Sequence, residues 1–122
     1  MLFKNLLFLC LIASPLTGLS ENTFYVTGKY TINGQLNPDI VLTRGETYNF
    51  IISVGVVHPF WLKSVQGTGT DGFYDNGINA NGITSGTIIF SIPEDAPDTL
   101  YYNCKNHSTM TGTISILDPV TS

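Results

Sequence analysis

The chain has 122 residues, a formal net charge of −4 and only 11% charged residues. That length accommodates one domain. The acidic balance leaves no basic patch, which excludes nucleic acid and anionic membrane surfaces as partners.

Residues 1–20, MLFKNLLFLCLIASPLTGLS, place Lys4 before an apolar run over Leu6–Ala13 and a small-residue, polar end. This order is that of a secretory signal peptide, and the run is shorter than the ~20 residues that cross a bilayer. A buried N-terminal helix is the competing reading, but the segment has no polar face. Cleavage is expected after Ser20, with Gly18 as a small residue upstream, and Cys10 follows Leu9 rather than the small residue a lipid anchor needs. The expected organisation is a signal peptide over 1–20 and one domain over 21–122, periplasmic or secreted, monomeric and not inserted in a membrane.

Removing the leader leaves Cys104 as a single cysteine, so no disulfide can form within the domain. In an oxidising compartment a lone thiol points to intermolecular pairing, to reactivity or to a metal. Four cations, Lys29, Arg44, Lys63 and Lys105, then face nine carboxylates.

No segment of the domain shows a helical period. Short β-rich runs recur at Thr23–Val26, Tyr30–Ile32, Ile40–Thr43, Thr47–Val54, Phe60–Val65, Thr87–Ile92, Leu100–Asn103 and Thr113–Leu117. Tyr48, Phe50 and Ile52 alternate with Thr47, Asn49 and Ile51, the period of a half-buried strand. Arg44-Gly45-Glu46 marks a turn, and Pro38 and Pro93 fall at strand edges or ends. Short strands at this spacing predict an all-β, Greek-key sandwich or barrel of about seven to eight strands. Residues 66–85, QGTGTDGFYDNGINANGITS, break the rhythm and predict a long, ordered surface loop with room for a short hairpin.

The domain has two histidines, His58 in VVHPFWLKS and His107 in YYNCKNHSTMTG. Strand parity puts Cys104 on the buried face with Leu100 and Tyr102. A cysteine leaving a core strand, with His107 and Met110 in the following turn and His58 from a neighbouring strand, can surround one small ion. Two imidazoles, a thiolate and a weak axial thioether are the donor set of mononuclear blue copper. Zinc accepts the first three but gains nothing from Met110, and iron–sulfur clusters need more thiolates than the chain has.

With these residues in view, the domain resembles the cupredoxins, the small blue copper proteins. The resemblance rests on HPF at His58, on SGTIIFSIPEDAPDTLYYNC ending at Cys104, and on the loop CKNHSTMTG, which is spaced more like amicyanin than plastocyanin. It implies a single Cu(I)/Cu(II) ion held by His58, Cys104, His107 and Met110. It also implies one-electron transfer with transient docking of redox partner proteins near His107, whose ring edge serves as the port, and no enzymatic activity. In plastocyanin-like members an asparagine follows the first histidine, ties the ligand loops together and donates its N–H toward the cysteine sulfur. Here Pro59 has no N–H, so Asn106 is the remaining backbone donor and the sulfur is expected to accept one such bond or fewer. Asn103 stands where plastocyanin has an exposed tyrosine used as a second electron route.

Other readings compete. A copper storage or delivery protein would share the ligands, although such proteins are richer in methionine and histidine. A metal-free, immunoglobulin-like binding domain would explain DTLYYNC but wants a second cysteine, and Tyr102 is expected to form a tyrosine corner in either sandwich. A Cys/His nucleophile lacks an evident third group or oxyanion hole. Trp61 has the parity opposite to Phe60 and Leu62, so it faces out or sits beneath the long loop, with core or loop packing expected over a docking role. Asn106-His107-Ser108 matches a glycosylation sequon, which is taken as coincidental because a glycan there would crowd the ligand loop.

Overall fold

A computed structural model describes residues 22–120; the expected signal peptide lies outside the described residues. Among these the chain forms strands and no helix. They are β1 (Thr23–Thr27), β2 (Thr31–Ile32), β3 (Gln35–Leu36), β4 (Ile40–Thr43), β5 (Thr47–Ser53), β6 (Phe60–Lys63), β7 (Ile78–Asn79), β8 (Ser85–Ser91), β9 (Thr99–Cys104) and β10 (Thr111–Leu117). The all-β architecture is the expected one. The additional strands, β3 and β7, have two residues each. Neither is long enough to show an alternating pattern in the sequence.

Two mixed sheets result: one of four strands in the order β4-β10-β9-β6, the other of six in the order β3-β2-β1-β5-β8-β7. Two of the neighbouring pairs are parallel, β1 with β5 and β4 with β10. The Arg44-Gly45-Glu46 turn carries the chain from one sheet to the other, between β4 and β5.

Alternation sets which side chains enter the core. Along β5, Tyr48, Phe50 and Ile52 are buried while Thr47, Ile51 and Ser53 are exposed, as the pleat requires. Across the pair, Phe50 lies opposite Ile88 and Tyr48 opposite Phe90. The other sheet contributes Phe60, Leu62, Leu100, Tyr102, Ile114 and Ile116 to the same cluster. The Phe60 ring meets Phe50, Tyr30 and Tyr102 with centroids 5.9, 4.9 and 5.2 Å apart. These contacts centre the core beneath the end of the sandwich where β9 ends and β6 begins.

Tyr102 is not a tyrosine corner. Its hydroxyl donates to the Pro38 carbonyl at 2.5 Å, across 64 residues of sequence, whereas a corner bonds a few residues upstream. The bond joins β9 to the entrance of β4 instead. Gly112 is required there, because a Cβ would lie 2.4 Å from the Tyr102 hydroxyl and 2.5 Å from the Pro38 oxygen.

The long segment after β6 is ordered and lies along that strand. The Ser64 N–H donates to the Gly72 carbonyl, Tyr74 N–H to Leu62 and Gly82 N–H to Phe60, at 2.7–3.0 Å. The Asn81 side chain imitates a strand residue: its Oδ1 accepts from the Leu62 N–H at 2.8 Å and its Nδ2 donates to the Leu62 carbonyl at 3.1 Å. An exposed strand edge is thereby covered.

Candidate metal centre

The ligand candidates come from two connections at one end of the sandwich. Between β5 and β6, the His58 N–H donates to the Gly55 carbonyl at 2.9 Å, closing a turn that delivers the imidazole just before β6. Between β9 and β10, the Cys104 N–H donates to the Met110 carbonyl at 2.9 Å and the Met110 N–H to the His107 carbonyl at 3.2 Å. The loop is thus one tight turn closed on itself. Cross-strand pairing of Cys104 with Phe60 brings the two connections side by side.

His58, Cys104 and His107, 46 and 3 residues apart, meet here. One ligand atom from each lies within 4.8 Å of the others. The two Nδ1 atoms are 3.2 Å apart, and Cys104 Sγ is 3.4 Å from His107 Nδ1 and 3.9 Å from His58 Nδ1. Such a triangle has a point about 2.0 Å from each corner, close to the ~2.0–2.1 Å and ~2.3 Å that a first-row ion such as zinc takes to imidazole and thiolate. The donor atoms therefore fit one ion. Their burial is graded: the Cys104 sulfur is shut in, His58 is half-buried and His107 is exposed. Met110 joins the core cluster at 5% exposure, at the loop's far end.

Around the sulfur, one backbone N–H is in reach, that of Asn106 at 3.4 Å. Pro59 supplies none, as its chemistry dictates. The tie between the ligand connections comes from Asn106, whose Nδ2 donates to the Val57 carbonyl at 2.9 Å, one residue before His58. The thiol itself points toward the same carbonyl at 3.7 Å.

The other side of the ligand strand is held by Asn103, which is fully buried. Its Nδ2 donates to the Cys104 carbonyl at 2.8 Å, and its Oδ1 accepts from the Gly67 N–H at 3.0 Å. Asn103 joins the ligand strand to the long loop, a role no local pattern signals. Beside it, Trp61 stacks on Phe73 with centroids 3.7 Å apart and planes at 4°, so it packs under the loop as expected.

No protein-family model matches the chain, and no characterised protein matches it in sequence. Among solved structures, reduced rusticyanin superposes with a TM-score of 0.52 at 17% identity, over 84% of this chain and 87% of that one. A rusticyanin point variant gives 0.51 at 16% identity, over 80% and 79%. A purple cupredoxin from Nitrosopumilus maritimus gives 0.47 at 13% identity, over 79% and 99%, too low an overlap to argue from. The rusticyanin superpositions show the fold: this chain shares the cupredoxin sandwich.

Proposed function

We propose that this protein is an exported, mononuclear copper protein that carries single electrons between partner proteins, without being an enzyme. The observation that carries the reading is the convergence of His58, Cys104 and His107 on one ion-sized gap. Core packing accounts for the burial of Cys104, but not for the two imidazoles gathered at its sulfur, and a metal-free binding domain gives no reason for them. The fold agrees, since rusticyanin, described among these structures as a copper protein, shares it. His58, Cys104, His107 and Met110 would hold the ion, two imidazoles, a thiolate and a thioether being a donor set that selects copper. When bound, copper supplies a one-electron couple between Cu(II) and Cu(I).

The protein's own contribution is to hold the donors and limit solvent. The closed Cys104–Met110 turn and the Asn106–Val57 tie hold the connections that carry the imidazoles and the sulfur side by side. The exposed His107 imidazole offers the shortest way from the sulfur to a docked partner, with Val56 and Val57 exposed nearby in the neighbouring connection. A single N–H donor on the sulfur should give a lower reduction potential than a doubly bonded thiolate, because fewer dipoles offset its charge.

Titrating purified domain with Cu(II) tests the reading. An intense visible charge-transfer band should saturate at one equivalent and be absent from Cys104→Ala; a colourless titration overturns it. Reversible voltammetry, with little copper lost to a chelator during cycling, separates electron carrying from metal delivery.

A further inference from the structure

Tyr30 is a residue that no sequence signal connects to the metal centre. It is the last residue of the turn between β1 and β2, has φ +69 and is fully buried. A bulky residue adopts this left-handed backbone only where its surroundings over-determine it. Those surroundings are specific. Its ring meets Phe60 edge-on with centroids 4.9 Å apart and Tyr102 at 5.9 Å. Its carbonyl accepts from the Asn37 N–H at 2.9 Å. Its hydroxyl reaches through the core to the Pro59 carbonyl at 2.5 Å and the His58 carbonyl at 3.2 Å.

Both carbonyls belong to the short main-chain segment that carries the His58 imidazole into β6. Because Pro59 has no N–H, this segment lacks a backbone donor at the residue following the ligand. Asn106 restrains it from the solvent side, through Val57. From the core side the restraint is the Tyr30 hydroxyl.

We propose that Tyr30 is a positioning residue of the copper centre: its hydroxyl fixes the main chain of His58 and Pro59 and so holds the His58 imidazole in the plane with Cys104 and His107. This rests on the copper reading above. A site whose imidazole is fixed in this way resists the flattening that Cu(II) prefers. Releasing the imidazole favours Cu(II) over Cu(I).

The test compares Tyr30→Phe with Tyr102→Phe, which also removes one buried hydroxyl bond but at Pro38, away from the His58 segment. Both variants should bind one copper and lose similar stability. Tyr30→Phe alone should turn from blue toward green, as charge-transfer intensity moves to the higher-energy band. Its potential should fall, with the Cu(II)-to-Cu(I) affinity ratio rising roughly tenfold, the weight of about one hydrogen bond. In metal-free protein, the His58 ring resonances should broaden in Tyr30→Phe and stay sharp in Tyr102→Phe. Placing 4-aminophenylalanine at position 30 restores a donor and should restore colour and potential.

The proposal is overturned if Tyr30→Phe keeps the wild-type spectrum and potential, if Tyr102→Phe shifts them equally, or if the aminophenylalanine protein folds but stays green. Should Tyr30→Phe fail to fold, the aminophenylalanine protein and the metal-free resonances decide. A wild type that binds no copper defeats the functional reading instead, and the metal-free resonances still test the positioning.

Discussion

The two faces of the four-stranded sheet are both buried near the end that bears His58 and Cys104, by opposite means. On the inner face Leu100, Tyr102 and Cys104 enter an apolar core with Phe60 and Leu62. On the outer face Asn103, Trp61 and Lys63 lie beneath the long loop; Asn103 and Lys63 bond main-chain atoms, while Trp61 stacks on Phe73 and its buried indole N–H has no partner among the described residues. The buried Lys63 ammonium donates to the Gly67 carbonyl at 2.5 Å and stands 5.7 Å from the Phe73 ring centre. Asn103 accepts from Gly67 and donates to Cys104. The inner face depends on shape and area, which tolerate exchange among apolar residues of similar volume. At Asn103 and Lys63 the outer face depends instead on polar groups satisfied one by one, where losing one partner strands another.

Four measurements can break or sharpen this contrast. The largest effect is expected on the inner face: Phe60→Ala should cost about 3–5 kcal/mol in urea unfolding, the usual range for a buried phenylalanine. A loss below about 1 kcal/mol would mean the core there is loosely packed. On the outer face, Asn103→Ala should cost about 1–3 kcal/mol, because the Gly67 N–H and the Cys104 carbonyl lose their partner. Its hydrogen exchange should quicken around Gly67 before it quickens in β9. A uniform increase would show the two faces to be one cooperative unit.

The third measurement addresses the inner face through pH. Burial raises the Tyr30 and Tyr102 phenols above their ordinary value of 10.0. Below that pH both folded and unfolded chains keep these protons, and their contribution to stability is constant. Above it the unfolded chain releases protons that the folded chain retains, so stability falls as pH rises, by about 1.4 kcal/mol per pH unit for each phenol. Tyr30→Phe should remove one such share of the alkaline slope. The fourth substitution is Gly82→Ala, which places a Cβ 2.1 Å from the Trp61 ring at φ +78. Overpacking against the stacked ring adds to the left-handed backbone strain, so the cost should be about 2–4 kcal/mol. The fluorescence of Trp61, the single tryptophan, should also change as its stack on Phe73 opens.

The same contrast explains what could be read from the sequence. Tyr48, Phe50 and Ile52 declare the inner face by strict alternation, and Leu100, Tyr102 and Cys104 follow the same parity. The spacing of Cys104, His107 and Met110, with His58 as the remaining imidazole, marks a candidate site because one ion needs donors of those types. The outer face has no such period. Asn81 bonds like a strand residue through its side chain, and Asn103 is buried at a position where parity predicts exposure. Asn81 reaches Leu62 and Asn103 reaches Gly67, contacts distant in sequence that leave no local pattern. Tyr30 reads as the first residue of a strand, and only its positive φ and the reach of its hydroxyl reveal its connection to His58. The sequence also pointed to Asn106 as the one backbone donor to sulfur, since Pro59 removes the other by covalent structure alone. The Asn106 side-chain tie to Val57 was not foreseeable.

The complete burial of Cys104 has a chemical consequence separate from any ion. A thiol exchanges with disulfides or is oxidised only when an attacking group can reach the sulfur. Here His107 and the closed turn stand between the sulfur and solvent. Alkylation or cross-linking must wait for the Cys104–Met110 turn to open, so the rate of thiol modification becomes a clock for that opening. The fold serves as a protecting group for its own cysteine, and covalent dimers should form from molecules that have lost the turn.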